Sequence, residues 1–393
     1  MPIPSTPRTR LLGNKLMGLA LLVVTGAGLW AQEAPSPGDG FNPNANGIVN
    51  TTLLQPDGKI LIGGYFTQLQ PDNHGISSVG YLARLNHDGS VDSSFTPVAN
   101  GVVRPMLLQP NGQVIIGGQF TSIQPTGSST PVARNFAARL NADGTLDTVF
   151  NPNTNGVVYA IAYQPNGQIL IGGSFTTVQP AGSSAPVTRN HIARFNADGS
   201  LDTSFDPNTD RPVLSIAVQS TGQILIGGGF TTLTPNGASV STVRNALARV
   251  NSDGTLDPMF DPEANGSVSE IVFLPDGRFL VGGQFTTMQP NGQLSATTVN
   301  FLARFSAAGV LDQAYIVNPL GSVSAIAVQL DGRLVIGGTF NRVNGNNSLS
   351  ASIASFLARI NVDGTVDTGF NPSPNNAVNS IAIQPDSEVI VGG

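Results

Sequence analysis

Gln164-Pro-Asn-Gly-Gln-Ile-Leu-Ile-Gly-Gly-Ser-Phe175 reads as a tight turn that runs straight into a strand. Pro165 presets φ for a type I turn and Gly167 supplies the left-handed residue after it. The preceding run Val158–Tyr163, rich in β-formers, therefore folds back on Ile169–Phe175 as a hairpin. Downstream, a polar loop over 176–189 leads to a third strand, Asn190–Phe195. The turn Asn196–Gly199 then enters a short fourth strand, Leu201–Phe205. Asp206-Pro207 ends the pairing, because proline has no ladder donor.

The same unit recurs along the chain. A Gly-Gly pair begins at Gly63, Gly117, Gly172, Gly227, Gly282, Gly337 and Gly392, with spacings of 54 and then 55 residues throughout. So fixed a period is the mark of a repeat architecture. Four short strands joined by tight turns make an antiparallel meander, which excludes a parallel β-helix. One four-stranded sheet cannot bury both its faces, so the copies must stack, and radial stacking gives an all-β propeller of about seven four-stranded antiparallel blades. Phe66, Phe120, Phe175, Phe230, Phe285 and Phe340 follow the glycine pair at one offset. Phe95, Phe150, Phe205, Phe260 and Phe370 close the fourth strand, with Tyr315 as the one substitute. Rings at every copy belong to packing between sheets, and the glycines let another backbone approach. Asp39-Gly-Phe-Asn-Pro43 matches Thr368-Gly-Phe-Asn-Pro372. The repeat domain is accordingly expected over 38–393, as an N-terminal strand at 38–46, six full repeats and a partial seventh, with the two ends meeting to close a ring.

Gln-Pro-Asp-Gly-Lys-Ile-Leu-Ile-Gly-Gly-Tyr-Phe over 55–66, followed by Leu-Ala-Arg-Leu-Asn-His-Asp-Gly-Ser-Val-Asp-Ser-Ser-Phe over 82–95, resembles the bacterial delta-60 repeat family. The resemblance covers nearly all of 38–393. It implies a propeller-like repeat region of large exported or surface proteins, with no assigned biochemical activity. The departures are a longer second loop rich in Gln, Pro and Ser, Ser387 in place of the turn glycine, and a degenerate stretch over 307–318. The glycine pair is also similar to that of kelch propellers, but the Tyr and Trp of kelch blades are absent.

Several constellations invite a chemical reading. Asn141–Asp147 overlaps the middle of a calcium loop, but aligning Asp143 with the fifth ligand position puts Arg139 at the first and Phe150 at the twelfth. That leaves too few oxygen ligands, so a plain hairpin turn and no metal is the expectation, with Asp147 pairing Arg139. Arg84, Arg139, Arg194, Arg249, Arg304 and Arg359 recur in the third strand, each with an aspartate eight residues on: Asp92, Asp147, Asp202, Asp257, Asp312 and Asp367. A set present in every copy is structural, and as an exposed cross-strand ladder each pair would contribute on the order of 0–1 kcal/mol. The histidines, His74, His87 and His191, fall in different repeats, and His191 fills a slot taken elsewhere by Phe136 and Phe301, as a packed strand residue. Glu270 and Glu388 read as lone, solvated residues on hairpins. No nucleophile elbow, zinc motif or phosphate loop occurs, so no catalytic residue, cofactor or metal ligand is assigned.

The loops 67–80, 121–135, 176–190, 231–245, 286–300 and 341–355 are the candidate binding face, with Arg134, Arg189 and Arg244 at a shared offset and no aromatic residue among them. The rival class is an extracellular propeller enzyme acting on glycans, a hydrolase or lyase. Two carboxylates breaking the repeat at the axial channel would favour it, whereas a channel lined by repeated Ile, Ala and Val favours a scaffold.

Composition limits the partners. The chain has 393 residues, 46 Gly, 28 Pro and no Cys, with 40% hydrophobic and only 11% charged residues. That is enough apolar material for a core, and without cysteine there is no disulfide, thiolate metal site or catalytic thiol. The formal net charge is −6, which disfavours a nucleic-acid partner. Arg8, Arg10 and Lys15 precede the apolar run Leu16–Trp30 and the small residue Ala31, the pattern of a signal peptide over 1–31, followed by a short linker at 32–37. Cleavage would remove three cations and the single Trp, leaving a net charge of −9 with Tyr65, Tyr81, Tyr159, Tyr163 and Tyr315. The expectation is a secreted or cell-surface scaffold with no membrane span after signal removal, binding an unidentified protein or surface polymer.

Overall fold

The computed structural model describes residues 41, 43–71, 75–236, 238–290, 292–346, 348 and 350–393, and the backbone of two short strands, Arg10–Leu11 and Leu22–Val24. His74 lies outside them, as do the expected signal peptide, apart from those two strands, and the linker. Among the described residues there is no helix, and so none long and apolar enough to cross a membrane.

Each of the six full copies forms an antiparallel sheet of inner, middle and third strands. In the third sheet these are Val158–Tyr163, Ile169–Gly173 and Ile192–Phe195, with Ile169 opposite both Tyr163 and Phe195. The fourth strand of the sequence reading is there, but one residue long. Val91, Leu146, Leu201, Leu256, Leu311 and Val366 each make a single bridge to the third strand, after which the chain turns away on the aspartate. The third strand begins later than expected. His191 stands before it at φ 67°, and Tyr81, Phe136, Ala246, Phe301 and Phe356 adopt the same left-handed conformation in their copies. Non-glycine residues rarely do so. Two hydrogen bonds hold the kink: the His191 N–H donates to the Phe175 carbonyl, and the His191 carbonyl accepts from Gly173 N–H, both at 2.9 Å. Burial pushes the His191 imidazole below its ordinary pKa, so it is a neutral packing group.

The inner strands stand round an axis in sequence order: Val49–Leu54, Val103–Leu108, Val158–Tyr163, Val213–Val218, Val268–Phe273, Val323–Val328 and Ser380–Ile383, the last lying against the first. The two ends lie together by packing, but the strand expected at 38–46 is not formed among its described residues, where Ala45 makes a single bridge to Leu69. Phe41, almost fully buried, shares a core cluster with Val49, Phe66 and Ile390. The backbone of Leu22–Val24 lies antiparallel to the edge of the last strand, Val389–Gly392, with Val23 opposite Ile390.

Neighbouring sheets touch through the first glycine of each pair. A Cβ added at Gly63, Gly117, Gly172, Gly227, Gly282 or Gly337 would lie 2.5–2.9 Å from Cγ1 of a valine of the next copy, respectively Val103, Val158, Val213, Val268 and Val323, which open their inner strands, and Val378, just before the last one. Gly392 meets Val49 in the same way at 2.7 Å, which closes the ring. Beyond this contact the six repeated phenylalanines after the glycine pairs are at most 1% exposed, each removing roughly 150–250 Å² from water.

The Arg–Asp pairs form in all six copies, at 2.7–2.8 Å. They are not the exposed ladder the alternation suggested. Arg84, Arg139, Arg194, Arg249 and Arg359 are buried, because each guanidinium lies over the ring that ends its own fourth strand, Arg194 at 4.3 Å from the Phe205 centroid and Arg304 at 3.7 Å from Tyr315. Several also reach the next sheet. Arg84 donates to the Ala142 carbonyl at 2.7 Å and Arg249 to Ala308 at 3.1 Å, with Arg194 bonded likewise to Ser252. The middle strand joins through Lys59 to Asp92 at 2.6 Å and Gln168 to Asp202 at 3.0 Å. Burial alone would raise the Asp202 carboxyl, but hydrogen bonds from Ser204 and Arg194 outweigh it and hold the group below the ordinary carboxylate range. Asp92, Asp147 and Asp312 are lowered likewise. Their contribution is present above the free-aspartate pKa near ~4 and is lost as pH falls toward the depressed folded value.

Four substitutions test this frame. Gly227→Ala, which drives a Cβ to 2.5 Å from Val268, should lower unfolding free energy by about 1–3 kcal/mol. Gly229→Ala, with nothing within 4 Å, should be neutral or stabilise by about 0.5 kcal/mol. Asp202→Asn should cost about 3 kcal/mol by stranding a buried guanidinium, against less than about 1 kcal/mol for Asp276→Asn in an exposed pair. Denaturant titration reads all four.

Candidate functional site

Most of the residues that looked available for binding are turned inward. Arg134, Arg189 and Arg244 are buried, and they hold the end of their own copy. Arg134 donates to the Ala133 and Asp147 carbonyls at 2.8 and 3.3 Å, Arg189 approaches Asp206 at 3.6 Å and Arg244 pairs with Asp261 at 3.0 Å. Burial, only partly offset by these arginines, raises the Asp206 and Asp261 carboxyls. The Asp-Gly turns are closed on themselves. Asp143 accepts from the Thr145 N–H at 2.9 Å and hydroxyl at 2.7 Å.

The binding loops are not structureless. Each pins one apolar residue (Leu69, Ile123, Val178, Leu233, Met288, Val343), fully buried three positions after the repeated phenylalanine. That side chain draws the loop into a two-residue ribbon, such as Thr177–Val178 against Val187–Thr188. An asparagine from the preceding connection locks the entry, the Asn155 Oδ1 accepting from Thr176 and Thr177 N–H at 2.8 and 2.9 Å. The repeated spacing of apolar residue to phenylalanine is the signal that could have revealed these ribbons. They form an outer tier, and on it Ile76, Val240, Val243, Leu294 and Ile353 each leave more than half of their surface in water.

The second feature is the axial channel, a cavity of about 490 Å³ walled by the inner strands of all seven sheets. Its lining includes Met106, Ile161, Ile216, Ile271, Ile326 and Ile381 at one position of the repeat, with Thr52 as the polar exception, and Ala160 and Ala325 at the position before it. The isoleucines and alanines give part of the repeated apolar lining that a scaffold would favour, but Asn50, Thr51, Ser215, Ser269, Asn379 and Ser380 make the rest of the wall polar. Two charged residues break the repeat. Arg104 stands on the second sheet, its guanidinium 5.9 Å from the Tyr65 ring and 5.7 Å from Tyr159, with Nη2 donating to the Tyr65 hydroxyl at 3.1 Å. Glu270 stands on the fifth sheet and is not a solvated hairpin residue. The inner strand carries it into the channel wall, where desolvation pushes its carboxyl up to about 8. It is the one carboxylate among the residues lining the channel, not the pair a glycan-cleaving site would need. Glu388, the other lone glutamate, is half-buried at the last hairpin.

The profile of a family described as "Domain of unknown function (DUF5122) beta-propeller" matches residues 55–95, 109–150, 164–205, 219–260 and 329–370, slightly more than half of the chain. No curated protein sequence matches. Among solved structures the fold is similar to the WD40 β-propeller domain of Doa1, at 14% identity and a TM-score of 0.53, covering 89% of this chain and 90% of that one. It is also similar to a streptogramin B lyase, at 13% identity, TM-score 0.54 and coverage of 88% and 93%, and to virginiamycin B lyase from Staphylococcus aureus, at 12% identity, TM-score 0.52 and coverage of 88% and 94%. At such identities the likeness is one of fold.

Glu270 yields a pH-dependent expectation. With a folded pKa near 8 against about 4.3 for the free side chain, the folded chain holds a proton that the unfolded chain releases. Stability therefore declines as pH rises from roughly 4.5 to 8 and the contribution is constant above that. Glu270→Gln should match the wild type in melting temperature at pH 5 and exceed it by several degrees at pH 8.

Proposed function

This chain belongs to the DUF5122 β-propeller family, and we propose that it works as an exported scaffold that presents the ribbon-bearing face of the ring to a protein or surface polymer, without catalysis of its own. The observation that carries this reading is the contrast between two sets of residues. The repeated charges are consumed within and between sheets, whereas Val243 and Ile353 on the ribbons, and Ile76, Val240 and Leu294 in the loops that the ribbons close, stand out in water. Apolar side chains fixed on a polar rim are what an interaction face needs. A ring whose sheets are clamped to one another also loses little conformational entropy when that face is covered. Export rests on the basic and apolar pattern of residues 1–31.

The reading is tested by expressing the full chain in a bacterial host and fractionating it. The expected product is extracytoplasmic, has a mass lacking residues 1–31, and shows tyrosine emission with no indole band. It should adhere to isolated cell envelopes, and replacing the five rim residues by serine should reduce that adhesion at least tenfold with the melting temperature unchanged. A cytoplasmic protein retaining Trp30, or a serine variant that adheres as well as the wild type, overturns it.

A further inference from the structure

The channel holds an arrangement that the ring does not need. Arg104 is the one inner-strand arginine, and among the described residues no carboxylate lies within ion-pair distance of it, whereas the third-strand arginines are all paired. Its Nε is buried without a hydrogen-bond partner. So are Asn50 Nδ2 and Thr52 Oγ1 on the adjoining first sheet, and Ser380 Oγ on the seventh. Buried polar atoms are nearly always partnered, and these four, on three successive sheets of one cavity, are free to bond polar atoms from outside the chain. This wall is rich in donors: a guanidinium N–H, an amide NH2 and two hydroxyls. Glu270, with Ser269 and Ser215 near it in the lining, stands on the fifth sheet, three sheets from Arg104 and the greatest separation a ring of seven allows.

We propose that the axial channel binds a small polyhydroxylated carboxylic acid, an acidic sugar, with its carboxylate on Arg104 and its hydroxyls on the Glu270 side. A guanidinium fork matches a carboxylate, and the rings of Tyr65 and Tyr159, 5.9 and 5.7 Å away, favour its charge at this place. On the opposite side a carboxyl that stays protonated in neutral solution both donates and accepts, as a ring of sugar hydroxyls requires. The neighbours of Glu270 help to keep it so. The strands packed against its own, Val213–Val218 and Val323–Val328, and its hairpin partner Phe279–Gly283, carry no titratable side chain; Arg104 and Tyr159 are the charged or titratable groups elsewhere in the lining. A volume of about 490 Å³ admits a mono- or disaccharide. The site is independent of the rim, so a failure of envelope adhesion leaves it standing.

The test is calorimetry on the full chain at pH 7 with galacturonate, glucose and inorganic phosphate. Galacturonate should bind at one site per chain, at least tenfold more tightly than either glucose or phosphate. Arg104→Met should weaken galacturonate at least tenfold and leave the melting temperature of the free protein within two degrees. Glu270→Gln, which keeps a neutral hydrogen-bonding group, should retain binding at pH 7 and, unlike the wild type, keep it unchanged at pH 9. Equal binding of galacturonate and glucose, equal binding of galacturonate and phosphate, or an Arg104→Met variant that binds as the wild type does would each overturn the proposal. Should Arg104→Met fail to fold, Asn50→Ala provides the second reading: it should weaken galacturonate, and wild-type affinity in Asn50→Ala would overturn the proposal.

Discussion

Everything in this ring depends on a contact in which one partner has no side chain. The first glycine of each pair lets the valine of the next inner strand sit directly on the sheet, within a distance that excludes even a methyl group. That approach fixes how closely the sheets stack, and the stacking fixes where the large rings fall. With the glycine–valine contact in place, the phenylalanine after the pair is sealed from water, and the aromatic at the end of the fourth strand lies beneath the arginine of its own copy. The arginine then reaches a carbonyl on the next sheet. A bulkier residue at the glycine would lift the sheets apart and leave guanidiniums buried without full partners, which explains why the pair is kept in all seven copies.

The charged groups divide by their relation to the repeat. An arginine that recurs every 55 residues meets the same aspartate in every copy, and its charge is neutralised within the frame. Arg104 and Glu270 occur once, face the axis and meet no opposite charge. The low-dielectric wall that raises the Glu270 carboxyl also strengthens any hydrogen bond made inside the channel. The two residues are therefore costly to the ring and useful only toward something that enters it.

The ring was legible from the sequence because its signals are long and redundant: the Gln-Pro-Asn-Gly turn, the glycine pair and the two phenylalanine positions each recur with one period. What escaped was set by three-dimensional neighbours. Nothing in Leu-Ala-Arg-Leu over 82–85 says that the arginine is buried, since that follows from Phe95 lying under it. His191 and Phe136 alternate correctly for a strand, yet the chain must rotate there to leave the ribbon, and the required left-handed φ has no residue signature among Tyr, Phe, His and Ala. Glu270 looked solvated because a hairpin residue usually is. Only the closure of seven hairpins round one axis makes the inner strand an interior wall.

The channel has a property that the clamps do not. Positions 50, 104, 159, 214, 269 and 379 face the same space from different copies, and their residues are Asn, Arg, Tyr, Leu, Ser and Asn. These positions vary in chemistry without altering the fold, because their side chains take no part in the glycine–valine contact or in the arginine clamp. A duplicated unit thus supplies a set of near-equivalent sites round one cavity, each open to change by single substitutions. Selection can compose a new pocket there residue by residue, while the contacts that hold the ring stay identical from copy to copy.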